Sequence, residues 1–263
     1  MRVLIINAGS ASVKLAIFEN GDHLFSKTLD GSEDIENLLA QIPGIIKESG
    51  HNDFDAVGHR VAHGSVSFRD SCLIDNDVIN AIEACVPLAP LHNPPNLAGI
   101  RMAQKEWPDA PQIAVFDTAF HQTMPEQAVI YAVPKEWRDK GVRHYGFHGT
   151  SHQYIMQRVA EELKTTPESL RIISCHLGGG ASVCAIDRGR SVDTSMGMSA
   201  LGGPVMGTRS GDTDPVLCAF LHRTMELTPE EVEQRLYHDS GLKALAGTGM
   251  PLDFLRSSPI SRR

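Results

Sequence analysis

The sequence predicts an α/β protein with mixed sheets, built in two related parts. Strand-like and helix-like segments alternate along the chain, and a strand–polar loop–strand hairpin occurs at residues 2–18 and again at 171–186. Apolar residues make up 41% of the 263 residues and charged residues 21%, enough to fill a core and to solvate a surface. This composition excludes a disordered or low-complexity chain. We place one domain at residues 1–147 and a second at 148–263.

The first domain is predicted to open with an antiparallel meander. Arg2 to Ile6 is a short apolar run rich in β-branched residues, Val13 to Phe18 is a second strand, and Asn20-Gly21 is a hairpin turn signal. Helical sequence runs from Ile35 to Glu48, and we expect Pro43 to interrupt it. Further strands are predicted at 55–61 and 113–116, with helices at 77–85 and 96–105.

The second domain repeats the opening pattern. Ser151 is expected to cap a helix whose apolar residues recur at helical spacing. A strand at 171–175, a glycine loop and a returning strand at 182–186 follow, and Thr228-Pro229 begins another helix. Few strands remain to complete a second sheet, so we expect this domain to be incomplete.

Charge and cysteine content narrow the class of protein. The formal net charge of −8 opposes nucleic-acid binding, which relies on basic surfaces. The apolar run Val3 to Ile6 is shorter than a secretory or membrane segment requires, so we expect no membrane association. Five cysteines form no C-x-x-C pair, which favours a reducing, cytoplasmic location.

Several segments of the first domain are typical of anion binding. Asn7 to Lys14 combines small residues, hydroxyls, an amide and a lysine at a strand-to-strand turn, where backbone N–H groups can approach a phosphate. Arg60 lies at a strand end, and Asp117 follows an apolar strand, where acids of α/β active sites often lie. The alternatives are an ordinary tight hairpin, a surface ion pair and a helix cap.

The second domain carries comparable segments. His176 to Gly180 ends in three glycines, which suits close backbone approach to a ligand, and Arg209 lies between glycines. The alternatives are a flexible loop and a surface arginine. His148 and His152 are four residues apart and could hold a metal in a hydrolase, although the glutamate of the zincin motif is missing. A single histidine that donates to a charged oxygen is the other hypothesis.

Together these segments resemble the acetate kinase family, within the superfamily of sugar kinases, heat-shock chaperones and actin. The resemblance extends from the amino terminus to about Gly241. It is carried by long and unusual strings, namely Ile5 to Ser10, Val57 to Val61, Leu88 to Asn96, Val115 to Pro125, Tyr145 to His152, His176 to Gly180, Asp193 to Gly197 and Met206 to Arg209.

The resemblance implies an actin-like (ribonuclease H-like) fold and phosphoryl transfer between ATP and a short carboxylate such as acetate, giving ADP and an acyl phosphate. It implies Mg²⁺ or Mn²⁺, with Asn7 as a metal-binding residue. The nucleotide phosphates would lie against lysine, hydroxyl and glycine-loop residues. These are Lys14, Ser10, Ser12, His176, Leu177, Gly178, Gly179 and Gly180. Relatives form homodimers.

The resemblance also implies which side chains act on the transferred group and its acceptor. The catalytic residues would be Asp117, His148 and Arg209, and the substrate-binding residues Arg60, Leu91 and Ala62. Phosphoryl transfer needs positioning and charge neutralisation more than covalent chemistry, which agrees with this set.

Three departures from the family pattern carry expectations of their own. Gly179 replaces the usual Asn, which should weaken nucleotide binding. Ala62 replaces a larger Val or Ile beside the acyl pocket, so propionate is an alternative substrate. Met250-Pro251-Leu252 replaces an Asp-x-Arg nucleotide contact, and the rest of the second domain is absent. We therefore expect weak ATP binding and little turnover, and a non-catalytic phosphate-binding fragment is the second hypothesis.

Overall fold

The computed structural model describes residues 1–9, 12–30 and 34–246, and these divide into two compact units between Phe120 and His121. We call them unit 1 and unit 2. The domain boundary at 147/148 stays a prediction. Two sequence predictions, on Ser10 and on the segment Met250 to Leu252, lie outside the described residues.

Unit 1 contains a six-stranded mixed sheet with strand order β3-β2-β1-β4-β6-β5. Strands β1, β4 and β6 are parallel to one another, while β2, β3 and β5 pair antiparallel to their neighbours. The strands are β1 (Arg2–Ala8), β2 (Ser12–Glu19), β3 (Asp22–Asp30), β4 (Ala56–Val61), β5 (Cys72–Leu73) and β6 (Gln112–Phe116). The predicted meander and mixed sheet are confirmed.

Three helices of unit 1 pack their apolar faces near this sheet. They are α1 (Ile35–Glu48), α2 (Asn76–Ala84) and α3 (Asn93–Glu106). Leu4, Ile6 and Leu15 of the sheet join Ile42 and Ile46 of α1 in one buried cluster. The sheet core is therefore apolar, which leaves the polar chemistry to the strand ends.

The expected interruption of α1 at Pro43 was wrong. The helix continues through Pro43, with Leu38, Leu39, Ile42 and Ile46 buried on its inner face. Burial of four apolar side chains stabilises the helix by more than the missing backbone hydrogen bond of one proline destabilises it.

Unit 2 combines a three-stranded antiparallel sheet, of order β7-β8-β9, with six helices in the described part of the chain. The strands are β7 (Arg171–Leu177), β8 (Ala181–Asp187) and β9 (Arg190–Thr194). The helices are α4 (Glu126–Val129), α5 (Lys135–Arg138), α6 (Gly149–Glu162), α7 (Leu217–Met225), α8 (Pro229–His238) and α9 (Gly241–Ala246). The predicted β7–β8 hairpin is confirmed, and a third strand, β9, extends it.

Helices α8 and α6 of unit 2 begin in different ways, the first with a side-chain cap and the second without one. Thr228 caps α8 with a capping box, in which the Thr228 side chain accepts from the Glu231 backbone and the Glu231 carboxylate accepts from the Thr228 backbone. In contrast, α6 begins at Gly149, after His148 in a left-handed conformation with φ of 58°, so the predicted cap at Ser151 was wrong. Within the described ranges, no helix has the length and apolarity needed to cross a membrane.

Candidate functional site

Asn7, Arg60 and Asp117 lie at or next to the carboxyl ends of the three parallel strands β1, β4 and β6 of unit 1. The parallel register pairs Ile6 with His59 and Val61 with Phe116, so β1, β4 and β6 end together. The carboxyl ends of adjacent parallel strands are a common place for ligand-binding side chains. We call Asn7, Arg60 and Asp117 the strand-end cluster.

Arg60 and Asp117 form a hydrogen-bonded ion pair within this cluster. The Nε and Nη2 atoms of Arg60 donate to Oδ2 of Asp117 over 3.1 and 2.6 Å. The Asp117 side chain is only 2% exposed, whereas that of Arg60 is 25% exposed. Burial opposes the charge of Arg60, but the attraction and hydrogen bonds of Asp117 outweigh it and raise the pKa of Arg60. The guanidinium is therefore fixed in place and charged.

Two asparagines of α3 hold the backbone that leaves β4. The amide N–H of Ala62 donates to Asn96 Oδ1 over 2.9 Å, and Asn96 Nδ2 donates to the Ala8 carbonyl over 2.6 Å. Asn93 accepts from the His63 N–H and donates to the His63 carbonyl, each over 3.1 Å. The sequence analysis gave these asparagines no role, although two amides three residues apart on an otherwise buried helix face were a usable signal.

The β1–β2 hairpin brings Asn7 and Lys14 together. These residues are directly opposite each other in the antiparallel register, so their side chains lie on the same face. The turn is closed by the Gly9 N–H, which donates to the Ser12 carbonyl over 2.8 Å. Lys14 is exposed, and Asn7 and Ser12 are half-buried. The phosphate-binding role of this hairpin stays a prediction.

The acyl-pocket residues both belong to unit 1. Ala62 directly follows β4 and is 2% exposed, and Leu91 precedes α3 and is half-buried. Their contact with a substrate stays a prediction.

The glycine loop of unit 2 joins β7 to β8 and lies against two of the predicted catalytic residues. The Gly178 N–H donates to the Gly180 carbonyl over 2.9 Å, which tightens the loop. A Cβ atom on Gly180 would lie 3.2 Å from Arg209 Nη1 and 3.4 Å from His148 Cε1. Gly180 therefore lets both side chains approach the loop backbone, whereas a Cβ atom on Gly179 would meet no atom of the described residues within 4 Å. We call His148, His176, Gly178–Gly180 and Arg209 the glycine-loop cluster.

Arg209 has two neutral neighbours that fix its position. Its Nη1 donates to the Ala200 carbonyl over 3.2 Å, and its guanidinium lies 5.6 Å from the centre of the Tyr237 ring. A cation over an aromatic face is stabilised by the ring quadrupole without being neutralised. These two contacts help to position the guanidinium beside the glycine loop.

The two histidines of the cluster stack on each other, and each is oriented by a serine. The rings of His148 and His176 are 4.0 Å apart at an angle of 22°. Nδ1 of His148 lies 2.9 Å from Ser182 Oγ, and Nδ1 of His176 lies 2.9 Å from Ser151 Oγ. These serines hold the rings through Nδ1, and the Cε1–Nε2 side of the His148 ring lies beside Gly180.

His152 does not share a metal with His148. Its Nδ1 lies 2.9 Å from Ser174 Oγ and its Nε2 lies 2.9 Å from Ser182 Oγ, so both ring nitrogens face seryl oxygens. Ser182 Oγ thus stands between the two histidines. The hydrolase hypothesis required both rings to turn lone pairs toward one ion, and this geometry contradicts it.

The structure thus groups the predicted residues by unit, with Asn7, Ser12, Lys14, Arg60 and Asp117 in one and the glycine-loop cluster in the other. The sequence analysis missed Ser182, Ser174 and the role of His152. Histidine spacing alone could not reveal them, because the hydrogen-bond partners come from β7 and β8.

Comparison with known proteins gives consistent matches. The model of the Acetokinase family matches residues 20–257. The acetate kinase of Natranaerobius thermophilus is 44% identical over 94% of this chain and 70% of its own length, and that of an Arthrobacter species is 47% identical over 94% and 69%. Among solved structures, a propionate kinase from Francisella tularensis is 37% identical with a TM-score of 0.87, covering 94% of this chain and 71% of that one. The acetate kinase of Porphyromonas gingivalis is 36% identical with a TM-score of 0.86, covering 99% and 73%.

Proposed function

The chain belongs to the acetokinase family, and from that premise we propose that it transfers a phosphoryl group between ATP and acetate, giving acetyl phosphate and ADP. It has the α/β, actin-like fold of its solved relatives, and the family is one of kinases. The observation that carries the proposal is the pair of placed arginines, Arg60 held by Asp117 and Arg209 held beside His148 and Gly180.

In this proposal Arg60 binds the carboxylate of acetate. A guanidinium has five N–H donors, and Asp117 takes two of them in a fixed orientation. The remaining fork matches a second carboxylate. Acetate is already a nucleophile, so Asp117 does not need to remove a proton. It acts by orienting the guanidinium of Arg60. This role differs from general-base catalysis.

The glycine-loop cluster is proposed to bind the transferred phosphoryl group and the nucleotide phosphates. Backbone N–H groups of a glycine loop suit phosphate oxygens. Arg209 adds a positive charge, and His148 can donate from Nε2 toward the same place, next to Gly180. Negative charge that develops on the phosphoryl oxygens is stabilised by these donors.

Asn7 is proposed to hold the divalent metal together with the nucleotide. Its amide oxygen, half-buried at the strand-end cluster, is a suitable donor for Mg²⁺. Among residues 1–9, 12–30 and 34–246, no three His, Cys, Asp or Glu side chains converge, so water and phosphates would supply most of the other ligands, as is usual for Mg²⁺ in kinases. When bound, the metal neutralises phosphate charge.

Propionate is a second candidate acceptor, favoured by one observation. Ala62 is a small side chain at a buried position two residues after Arg60, and a solved relative is a propionate kinase. One methylene in an apolar pocket changes selectivity by about 1–3 kcal/mol. We expect Ala62→Val to lower kcat/KM for propionate relative to acetate. An unchanged ratio would show that Ala62 does not line the acyl pocket.

The test of the proposed function is ATP formation from acetyl phosphate and ADP with Mg²⁺, measured with luciferase on the 263-residue chain. We expect slow turnover that is lost in Arg60→Ala and in Arg209→Ala. Arg101→Met is the matched control, because Arg101 of α3 forms an exposed ion pair with Glu83 of α2. Binding of acetyl phosphate without ATP formation would support the non-catalytic alternative, and turnover unaffected by either arginine would refute the assignment.

We also propose a reducing, cytoplasmic location. All five cysteines lie in the described part of the chain, and all are unpaired there.

A further inference from the structure

A hydrogen-bonded line of four side chains runs through unit 2 and ends at His148. Ser174 Oγ lies 2.9 Å from Nδ1 of His152, and Nε2 of His152 lies 2.9 Å from Ser182 Oγ. Ser182 Oγ lies 2.9 Å from Nδ1 of His148. Ser174, His152 and Ser182 are buried, so water does not compete for these hydrogen bonds.

Two arrangements of the hydrogens satisfy the Ser182 hydroxyl while both histidines are neutral. Ser182 is buried and faces two ring nitrogens, so its one hydrogen is satisfied when Ser182 donates to one ring and accepts from the other. If Ser182 donates to His148, then His152 donates from Nε2 and accepts from Ser174, and a neutral His148 carries its proton on Nε2. If Ser182 donates to His152, then His148 donates from Nδ1 to Ser182.

The two arrangements differ in what His148 presents to the glycine loop. A Cβ atom on Gly180 would lie 3.5 Å from Nε2 of His148 and 3.2 Å from Nη1 of Arg209, so Nε2 faces the place where Arg209 also points. In the first arrangement a neutral His148 presents an N–H donor there. In the second a neutral His148 presents a lone pair, which repels an anion.

We propose that Ser182 and His152 are positioning residues that fix the proton of neutral His148 on Nε2 when a phosphoryl anion is bound. The proposal rests on the proposed function, because it takes the glycine-loop cluster as the phosphoryl site. Ser174 completes the line by donating to Nδ1 of His152, which leaves Nε2 of His152 to donate to Ser182. Catalysis then depends on hydroxyls that do not touch the substrate.

Nitrogen-15 NMR of the histidine-labelled chain tests this directly, with inorganic phosphate as the probe. The two ring nitrogens give separate signals for an N–H and for a lone pair, and His148→Gln assigns those of His148. We expect Nε2 of His148 to be an N–H and Nδ1 to be a lone pair in saturating phosphate. A spectrum with Nδ1 protonated, with both nitrogens protonated or with no response to phosphate would overturn the proposal.

Serine variants then separate positioning from a merely structural role. In Ser182→Ala we expect a mixture of His148 tautomers in phosphate, and in Ser174→Ala a smaller shift in the same direction. Ser151→Ala is the matched control, because it removes the same hydroxyl from Nδ1 of the stacked His176. It should leave the His148 tautomer unchanged. An unaltered His148 spectrum in Ser174→Ala would overturn the proposal even if Ser182→Ala does not fold.

Turnover gives an independent check. Ser182→Ala should lower kcat by about tenfold or more with little change in KM, because an interaction that matters mainly in the transition state is weakened. Ser182→Thr retains the hydroxyl and should restore most of the loss. If the wild-type chain forms no ATP but shows the phosphate-dependent His148 tautomer, the proposed function fails while the positioning role stands.

Discussion

Replacing Arg60 with methionine removes one partner of a buried ion pair and retains the apolar stem of the side chain. Asp117, 2% exposed, would lose the two hydrogen bonds of 3.1 and 2.6 Å that Oδ2 accepts. Loss of one partner from a fully buried pair costs about 3–5 kcal/mol. Arg60 is one-quarter exposed and water can enter the vacated space, so we expect a lower value, about 2 kcal/mol.

The pairwise contribution follows from a double-mutant cycle with Asp117→Asn. The amide has nearly the shape of the carboxylate but no charge, so the double variant leaves neither charge buried without its partner. We expect the double variant to be more stable than the sum of the single changes predicts, by about 1–2 kcal/mol. Urea unfolding at pH 7, followed by circular dichroism, gives the four free energies of unfolding.

Arg101→Met controls for the loss of a guanidinium in general. Its ion pair with Glu83 is exposed on both sides, 58% and 43%, so removal should change the free energy of unfolding by less than about 0.5 kcal/mol. Additivity of Arg60→Met and Asp117→Asn to within about 0.5 kcal/mol would refute the argument, because independent residues behave in that way. That result would mean that Asp117 does not hold Arg60 in place.

Three further predictions concern the loop, a buried histidine and a helix cap. Gly179→Asn should tighten ADP binding in a calorimetric titration, because it adds a polar side chain at the proposed phosphate site and its Cβ atom would meet no described residue within 4 Å. Gly180→Asn should weaken ADP binding by crowding Arg209. Burial lowers the pKa of His59 to about 4, against the hydrogen bond to Gln112, which raises it. The contribution of His59 to the free energy of unfolding should therefore be constant above pH 6.5 and decrease by up to about 3 kcal/mol as the pH drops to 4. Burial lowers the pKa of His63 to about 4 as well, so His59→Gln should make the fall shallower without abolishing it, and an equal fall in that variant would contradict the assignment. Thr228→Ala should destabilise α8 by about 1 kcal/mol, visible as faster hydrogen exchange in that helix alone.

Local sequence signals were sufficient for most of the fold. The turn at Asn20-Gly21 and the apolar runs around it predicted β1 to β3, because a tight hairpin and alternating burial are properties of neighbouring residues. Pro43 misled the prediction of α1, since local propensity takes no account of the buried face that Ile42 and Ile46 provide. Tertiary packing decided that helix.

The candidate site could be predicted as a set of residues but not as a network. Glycines, arginines and histidines stand out in a sequence, and the strand ends that carry Arg60 and Asp117 follow from the order of the strands. The direction of a hydrogen bond does not follow from the order of the strands. His148 adopts a left-handed backbone that no neighbouring residue predicts, and its partner Ser182 comes from another strand, 34 positions along the chain.

The two arginines of the proposed site are held by different kinds of contact. Arg60 is bound to a carboxylate, so the pair has no net charge and its value to an incoming anion is the direction of its remaining N–H groups. Arg209 donates to the Ala200 carbonyl, lies over the Tyr237 ring, and brings Nη1 close to Gly180 of the glycine loop. Phosphoryl transfer requires an oriented acceptor and neutralised phosphoryl oxygens. A carboxylate suits the first arginine and a phosphoryl group the second, which is why lysine, having charge without a fork, should substitute better at position 209 than at position 60.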